Sequence, residues 1–440
     1  MGKVNNVKRW NELFSNEHLN EHFQERVKEK VSVGLDRVTV SKFEKNIEQE
    51  IDIIQRKVKN GTYHFTRYRQ VLFSKGAGKE PRIISVPTVR DKLVASTLNE
   101  LLSEIYGEQS KSPLPQKVIA SIQNALPFYD CFIKIDVSRF YSSINHKILM
   151  RIIRRKIRKK EIISLIEKSI TTETISLPIK HPGENGKRDQ GVPEGLPISN
   201  ALANIYLSDV DEKYGKDKGI KYYRYVDDIL ILVDKTDFNR VKKSIMADMK
   251  KLKLEINDNK IDFGETAYPF SYLGYSICRS FTSVGKSSVY RLEKSIEELM
   301  QKSKRYNHKY IEWKLNLKIT GFILDDNKYG WMFFYSQISD TSILHHLDWY
   351  VNKMLVRYSL DEGIKVKKYV RVFFEITKKL HETKYIPNIS NFTIDEKKRI
   401  LSEIYSEKIE NLEDSKVEYL FRKIMRREIQ DIERDVEHFS

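Results

Sequence analysis

Tyr222-Tyr223-Arg224-Tyr225-Val226-Asp227-Asp228-Ile229-Leu230-Ile231-Leu232 is the stretch whose reading decides the fold. Two runs rich in aromatic and branched apolar residues flank two adjacent carboxylates. Residues of the first kind favour strands and Asp favours turns, so the stretch predicts a β-hairpin with an acidic tip. Adjacent carboxylates repel unless a cation neutralises them, and hard oxygen ligands of this type suit Mg2+. Alone, the pair reads better as a solvated turn.

Two upstream segments change that balance. Cys131-Phe132-Ile133-Lys134-Ile135-Asp136-Val137-Ser138-Arg139-Phe140-Tyr141 predicts a second strand ending in a carboxylate, with an aromatic ring five residues after Asp136. By itself Asp136 could simply cap a following helix. Two-metal phosphoryl transfer, however, needs carboxylates from separate strand ends converging on ions roughly 3.5–4 Å apart. Between the two lies Gly191-Val192-Pro193-Glu194-Gly195-Leu196-Pro197-Ile198-Ser199-Asn200, which runs into the helix-like Ala201-Leu202-Ala203-Asn204-Ile205-Tyr206-Leu207. Such a loop lets backbone approach a substrate before a helix begins.

The order of carboxylate strand, Gly/Pro loop with helix, and carboxylate hairpin resembles the palm of a reverse transcriptase. Asp136 falls in that family's first catalytic motif, residues 193–199 in the second, and Tyr225-Val226-Asp227-Asp228 in the third. Further segments resemble the group II intron and related bacterial enzymes. Gly34-Leu35-Asp36-Arg37-Val38-Thr39 is similar to their opening motif, and the run from Gly78-Lys79-Glu80-Pro81-Arg82 to Val89-Arg90-Asp91 to their fingers segment. Leu254-Glu255-Ile256-Asn257-Asp258-Asn259-Lys260 is similar to the motif after the hairpin, and Tyr272-Leu273-Gly274-Tyr275 to the primer grip.

The resemblance implies an α+β right-hand polymerase, with fingers, a palm built on an antiparallel sheet, a helical thumb and a helical C-terminal extension. Fingers and palm fill residues 1–285, the thumb 286–380 and the extension 381–440. It also implies roles. Asp136, Asp227 and Asp228 hold two Mg2+ for attack by the primer 3′-hydroxyl and departure of pyrophosphate. Tyr141 closes the space behind the sugar, favouring dNTPs over rNTPs, with a core aromatic as the lesser alternative. Lys79, Arg82, Glu194, Gly195 and Lys260 line the nucleotide site, and Leu273 and Gly274 steady the primer. Where most relatives have Pro-Gln-Gly, this chain has Pro193-Glu194-Gly195. An ionised Glu cannot donate a hydrogen bond. Glu194 is therefore expected to turn away, to pair with a base such as Arg82, or to alter nucleotide selection.

The 440-residue chain carries a formal charge of +17, which points to a polyanionic partner. From Asp361 onward acids and bases balance, so the excess lies with the polymerase-like motifs. Residues 147–160 contain Arg151, Arg154, Arg155, Lys156, Arg158 and Lys159 with no acid. They predict a basic helix contacting phosphates, with a plain solvated helix as the alternative. Cys131 and Cys278 have no Cys/His neighbour at zinc-site spacing. No apolar run approaches membrane length and no signal-peptide core is seen, so a cytoplasmic protein is expected.

Capping boxes are expected at Ser41-Lys42-Phe43-Glu44, Thr393-Ile394-Asp395-Glu396 and Ser415-Lys416-Val417-Glu418. Lys75-Gly76-Ala77-Gly78-Lys79 predicts a hairpin tip, His181-Pro182-Gly183-Glu184-Asn185-Gly186-Lys187 a long turn, and residues 387–391 a linker. The aromatic run Tyr329-Gly330-Trp331-Met332-Phe333-Phe334-Tyr335 reads as helix–helix core rather than a base-stacking surface. An amphipathic stripe from Val417 to Ile432 is expected to pack on the thumb.

No RNase H constellation, no Cys/His endonuclease motif and no retron signature is found. The chain therefore resembles the stand-alone, defence-associated and abortive-infection bacterial enzymes. The stretch 330–350 is most similar to the type 2 branch. That resemblance implies a structured non-coding RNA as partner and template, repeated cDNA as product, dNTPs as substrates, and antiphage defence. An untemplated or protein-primed DNA polymerase, a retron- or intron-type enzyme, and a non-catalytic RNA-binding or splicing factor remain open at this stage.

Overall fold

The structure, a computed structural model, describes residues 5–28, 32–73, 80–176, 189–409 and 412–436, with the side chains of 257–260 outside the description. The expected hairpin tip at 75–79 and the turn at 181–187 lie outside the described residues. The chain forms two compact units, Met1–Ser112 with Ile133–Phe263, and Pro113–Phe132 with Gly264–Ser440.

The strands of the first unit are, in chain order, β1 (Tyr68–Phe73), β2 (Arg82–Val86), β3 (Cys131–Val137), β4 (Thr174–Ile175), β5 (Ile220–Tyr225), β6 (Asp228–Val233) and β7 (Ile256–Glu265). One sheet has the order β2-β1-β4 and the other β5-β6-β3-β7. β1 and β2 are antiparallel, placing Arg82 opposite Phe73 in the last pair before the connection between the two strands. The run Ile229-Leu230-Ile231-Leu232-Val233 is buried at every residue. A strand buried on both faces reads as a continuous apolar run, and β6 sits inside its sheet, between β5 and β3. The helix Ser199–Gly215 is likewise buried nearly all round over residues 201–207.

Two local expectations are corrected in this unit. The first helix after the opening motif begins at Val40 with Thr39 as its cap, not at a Ser41 box. Glu44 instead pairs with Lys28. Asn46, at φ −118°, then separates that helix from Ile47–Lys59. The basic segment is also not one helix. His146–Lys156 ends at extended Ile157, and a new helix starts at Lys160.

The second unit holds β8 (Phe270–Tyr272), β9 (Tyr275–Ile277), β10 (Thr282–Val284) and the hairpin β11 (Phe322–Leu324) and β12 (Asn327–Tyr329), with helices between and after them. Trp331, Met332, Phe333 and Tyr335 are buried, so the aromatic run is core as expected, on a hairpin and short helix. The C-terminal stripe packs where expected, since Val417, Phe421, Ile424 and Met425 share a cluster with Leu317 and Phe322. Buried ion pairs reinforce it, with Lys318 Nζ 2.7 Å from Asp435 and Lys314 Nζ 2.7 Å from Glu428. The box at Thr393 and Glu396 forms. That at Ser415 does not, because the helix Asp414–Glu433 has its N-cap two residues earlier, at Glu413. Residues 387–391 are no free linker either. Pro387 accepts from the Ile323 amide at 3.0 Å and Ile389 is buried.

Candidate active site

The β5–β6 register pairs Tyr225 with Asp228, leaving Val226 and Asp227 as a two-residue turn. Val226 adopts φ +55°, a conformation that a β-branched residue takes only under constraint and that glycine normally fills at this turn position. Strain of this kind costs about 1–3 kcal/mol and persists only where surrounding contacts over-determine it. Those contacts are present. Val226 is buried, and Arg224 donates to its carbonyl at 2.8 Å. The same guanidinium makes a bidentate pair with Asp211 at 2.7 and 2.5 Å, and bonds Asn204 at 2.9 Å. Asp211 also accepts from Tyr222 at 2.9 Å. Helix Ser199–Gly215 thus clamps the turn that aims Asp227. Sequence reading missed Arg224, Asp211 and Asn204 as functional, since nothing in the spacing reveals that the helix and the strand meet there.

Asp227 is half-buried. Loss of water raises its carboxyl pKa from the usual 3.8 to about 6, and the nearby charges of Asp136 and Glu194 push the same way. Arg82 opposes them. Burial and the charge of Asp227 lift the Tyr141 hydroxyl to about 12. Asp136, Asp227, Tyr141, Arg82 and Glu194 therefore share one electrostatic neighbourhood, although their positions span residues 82 to 227. Asp136 sits next to last in β3 and Asp228 opens β6, an adjacent strand. Excess negative charge from hard oxygen donors, held partly out of water, fits a divalent cation.

The loop before helix Ser199–Gly215 joins these parts. The Val192 amide donates to the Tyr141 carbonyl at 2.8 Å, and the Ser85 amide donates to the Glu194 carbonyl at 2.7 Å. Gly195 has φ +98°, and a Cβ there would lie 2.8 Å from Ile84 Cγ2, so only glycine lets the loop close on β2. The side chain of Glu194 pairs with Arg82, the second of the expectations for Glu194.

Lys79 and the side chain of Lys260 lie outside the described residues. Leu273 (φ +47°) and Gly274 (φ +72°) form the turn between β8 and β9, in the second unit, and Leu273 is buried. Arg151, Arg154 and Arg158 are exposed. Arg155 pairs with Asp209 at 2.7 Å, Lys156 bonds Gln109 at 2.8 Å, and Lys159 lies 3.3 Å from Glu161. Among the described residues no helix is long and apolar enough to cross a membrane.

Residues 74–277 match the reverse transcriptase (RNA-dependent DNA polymerase) family. Protein YkfC of Escherichia coli K12 is 23% identical, over 58% of this chain and 78% of its own length. The group II intron-encoded protein LtrA of Lactococcus lactis subsp. cremoris is also 23% identical, over 52% of this chain and 50% of its own. The chain thus spans about half of LtrA. Among solved structures, telomerase from Candida albicans in complex with a fragment of telomeric RNA is similar at a TM-score of 0.45 and 12% identity, covering 89% of this chain and 67% of that one. The family match encloses β2, the carboxylate strand, the Gly/Pro loop, the clamped hairpin and the turn after β8, all in the order read from the sequence. Over residues 74–277, somewhat under half of the chain, the protein is thus similar to a reverse transcriptase domain.

Proposed function

We propose that this protein copies an RNA template into DNA by two-metal nucleotidyl transfer. The observation that carries this is the convergence of Asp136 and Asp227 from β3 and the β5–β6 turn, with Arg82, Tyr141 and Glu194 around them. Asp136, Asp227 and Asp228 would hold the Mg2+ ions, whose chemistry is to acidify the primer 3′-hydroxyl and neutralise the departing pyrophosphate. Arg224 and Asp211 fix the turn so that Asp227 needs no reorganisation. Tyr141, buried and held through its carbonyl by Val192, walls off the 2′ position of the incoming sugar. Arg82 offers a planar guanidinium to the triphosphate, and its present partner Glu194 must release it.

We further propose that the template is a dedicated structured non-coding RNA, copied repeatedly in antiphage defence. This rests on the resemblance of residues 330–350 to the type 2 defence-associated branch. An intron-type enzyme is the second reading, favoured by the match to LtrA. The test is to purify the chain with its bound RNA, add Mg2+ and four dNTPs, and sequence the DNA, with Asp227→Ala/Asp228→Ala as control. Tandem cDNA of one RNA supports the defence reading, and cDNA of an intron supports the second. DNA unrelated to any RNA would refute templated copying.

A further inference from the structure

Away from the active site, two short helical segments meet the helix Val89–Tyr106. His18 and His22 lie four residues apart on the helix Asn16–His22, so they share a face. Both aim at one oxygen. Glu100 Oε2 is 3.3 Å from His18 Nε2 and 3.0 Å from His22 Nδ1. The three ligand atoms all lie within 4.8 Å of one another, the one such group of His, Cys, Asp and Glu among the described residues.

We propose that His18, His22 and Glu100 form a structural zinc site that ties the N-terminal segment to the helix Val89–Tyr106. Zinc–ligand bonds of ~2.0–2.2 Å in a tetrahedron separate the ligand atoms by about 3.3 Å. The two separations from Glu100, 3.3 and 3.0 Å, lie close to that edge and the third is within 4.8 Å, so one ion would replace two hydrogen bonds. Two imidazoles and one carboxylate form a donor set that suits zinc.

The surroundings fit as well. The other ring nitrogen of His22 lies 2.7 Å from Ser96 Oγ, the outer hydrogen bond that fixes tautomer and ring orientation in metal-bound histidines. Burial holds the His22 imidazole below its usual pKa, toward the neutral form a metal requires. Arg9 is the nearest cation to Glu100, and its stronger partners lie elsewhere. It bonds Glu104 at 2.6 and 2.7 Å and Glu12 at 3.2 Å, and stands 3.5 Å from the other Glu100 oxygen. Glu12, Glu100 and Glu104 are matched in charge by Lys8, Arg9 and the more distant Arg26, so the surroundings carry no net positive charge against a divalent ion.

The test uses the full chain. Wild type, His18→Gln/His22→Gln and Asp227→Ala/Asp228→Ala are incubated with ZnCl2, desalted and assayed for bound metal by mass spectrometry. One zinc per chain is expected in wild type and in the active-site variant, with loss in the histidine variant and a zinc-dependent rise in melting temperature only where the histidines remain. Cobalt substitution of wild type gives a reading that does not depend on the variants folding. A tetrahedral visible spectrum with imidazole ligation is expected. No retained zinc in wild type, equal retention in the histidine variant, or an octahedral all-oxygen cobalt spectrum would each overturn the assignment, leaving hydrogen bonds only.

Discussion

Asp227 makes a prediction that is independent of catalysis. Its carboxyl is held at about 6 against 3.8, chiefly by loss of water. The fold therefore binds a proton between those values that the unfolded chain has already released, so folding stability falls as pH rises through that window and stays reduced above it. About two pKa units at ~1.4 kcal/mol each set a ceiling of ~3 kcal/mol, and residual solvent contact brings the expected cost to about 1–3 kcal/mol. Asp227→Asn removes the charge and keeps the shape. Without divalent metal the variant should therefore melt higher than wild type at pH 7.5, by roughly 2–4 °C per kcal/mol. The gap should shrink below pH 6 and vanish near pH 4. Mg2+ should raise the melting temperature of wild type and close most of the gap, because a bound cation supplies the missing counter-charge. The assay is thermal unfolding followed by circular dichroism across pH, with EDTA or Mg2+. A variant no more stable than wild type at pH 7.5, or a gap independent of pH, would refute the reasoning.

Three further outcomes are expected. Arg224→Lys keeps the charge but loses the fork that grips Asp211 and the Val226 carbonyl, so kcat should fall about 10–100-fold with KM for dNTP little changed, as measured by steady-state primer extension. Glu194→Gln removes the partner that occupies Arg82. A charge-assisted bond of about 1.5–3 kcal/mol is involved, and the KM for dNTP should fall about tenfold; a rise would mean that Glu194 holds Arg82 in position instead. Tyr141→Ala opens the wall beside the sugar and should reduce dNTP-over-rNTP discrimination by about tenfold or more, read from competing single-nucleotide insertions.

What was legible in the sequence follows the range of the interactions involved. The hairpin at residues 222–232 could be read because strand propensity and turn chemistry are local, and so could the buried strand β6 and the loop before residue 199. Helix starts failed where two local signals competed. Thr39 outranked Ser41, and the cap expected at Ser415 falls two residues sooner, at Glu413, since a box is only one of several ways to satisfy the first amides. The strain at Val226 was not legible, because nothing within the turn produces it; it is imposed by Arg224 and by Asp211 on a distant helix. Nor was the meeting of His18, His22 and Glu100, whose partners are far apart in sequence. The pairing of Glu194 with Arg82 was anticipated as one of three options, and only the docking of the loop on β2 through Ser85 and Gly195 selects it.

The central claim is tested most directly by extension of a DNA primer on a defined RNA template by the purified chain. With Mg2+ and one dNTP at a time, the account predicts addition of the nucleotide complementary to the template, and loss of addition in Asp136→Asn and in Asp227→Asn. Addition that ignores the template, or addition that survives either substitution, would contradict it.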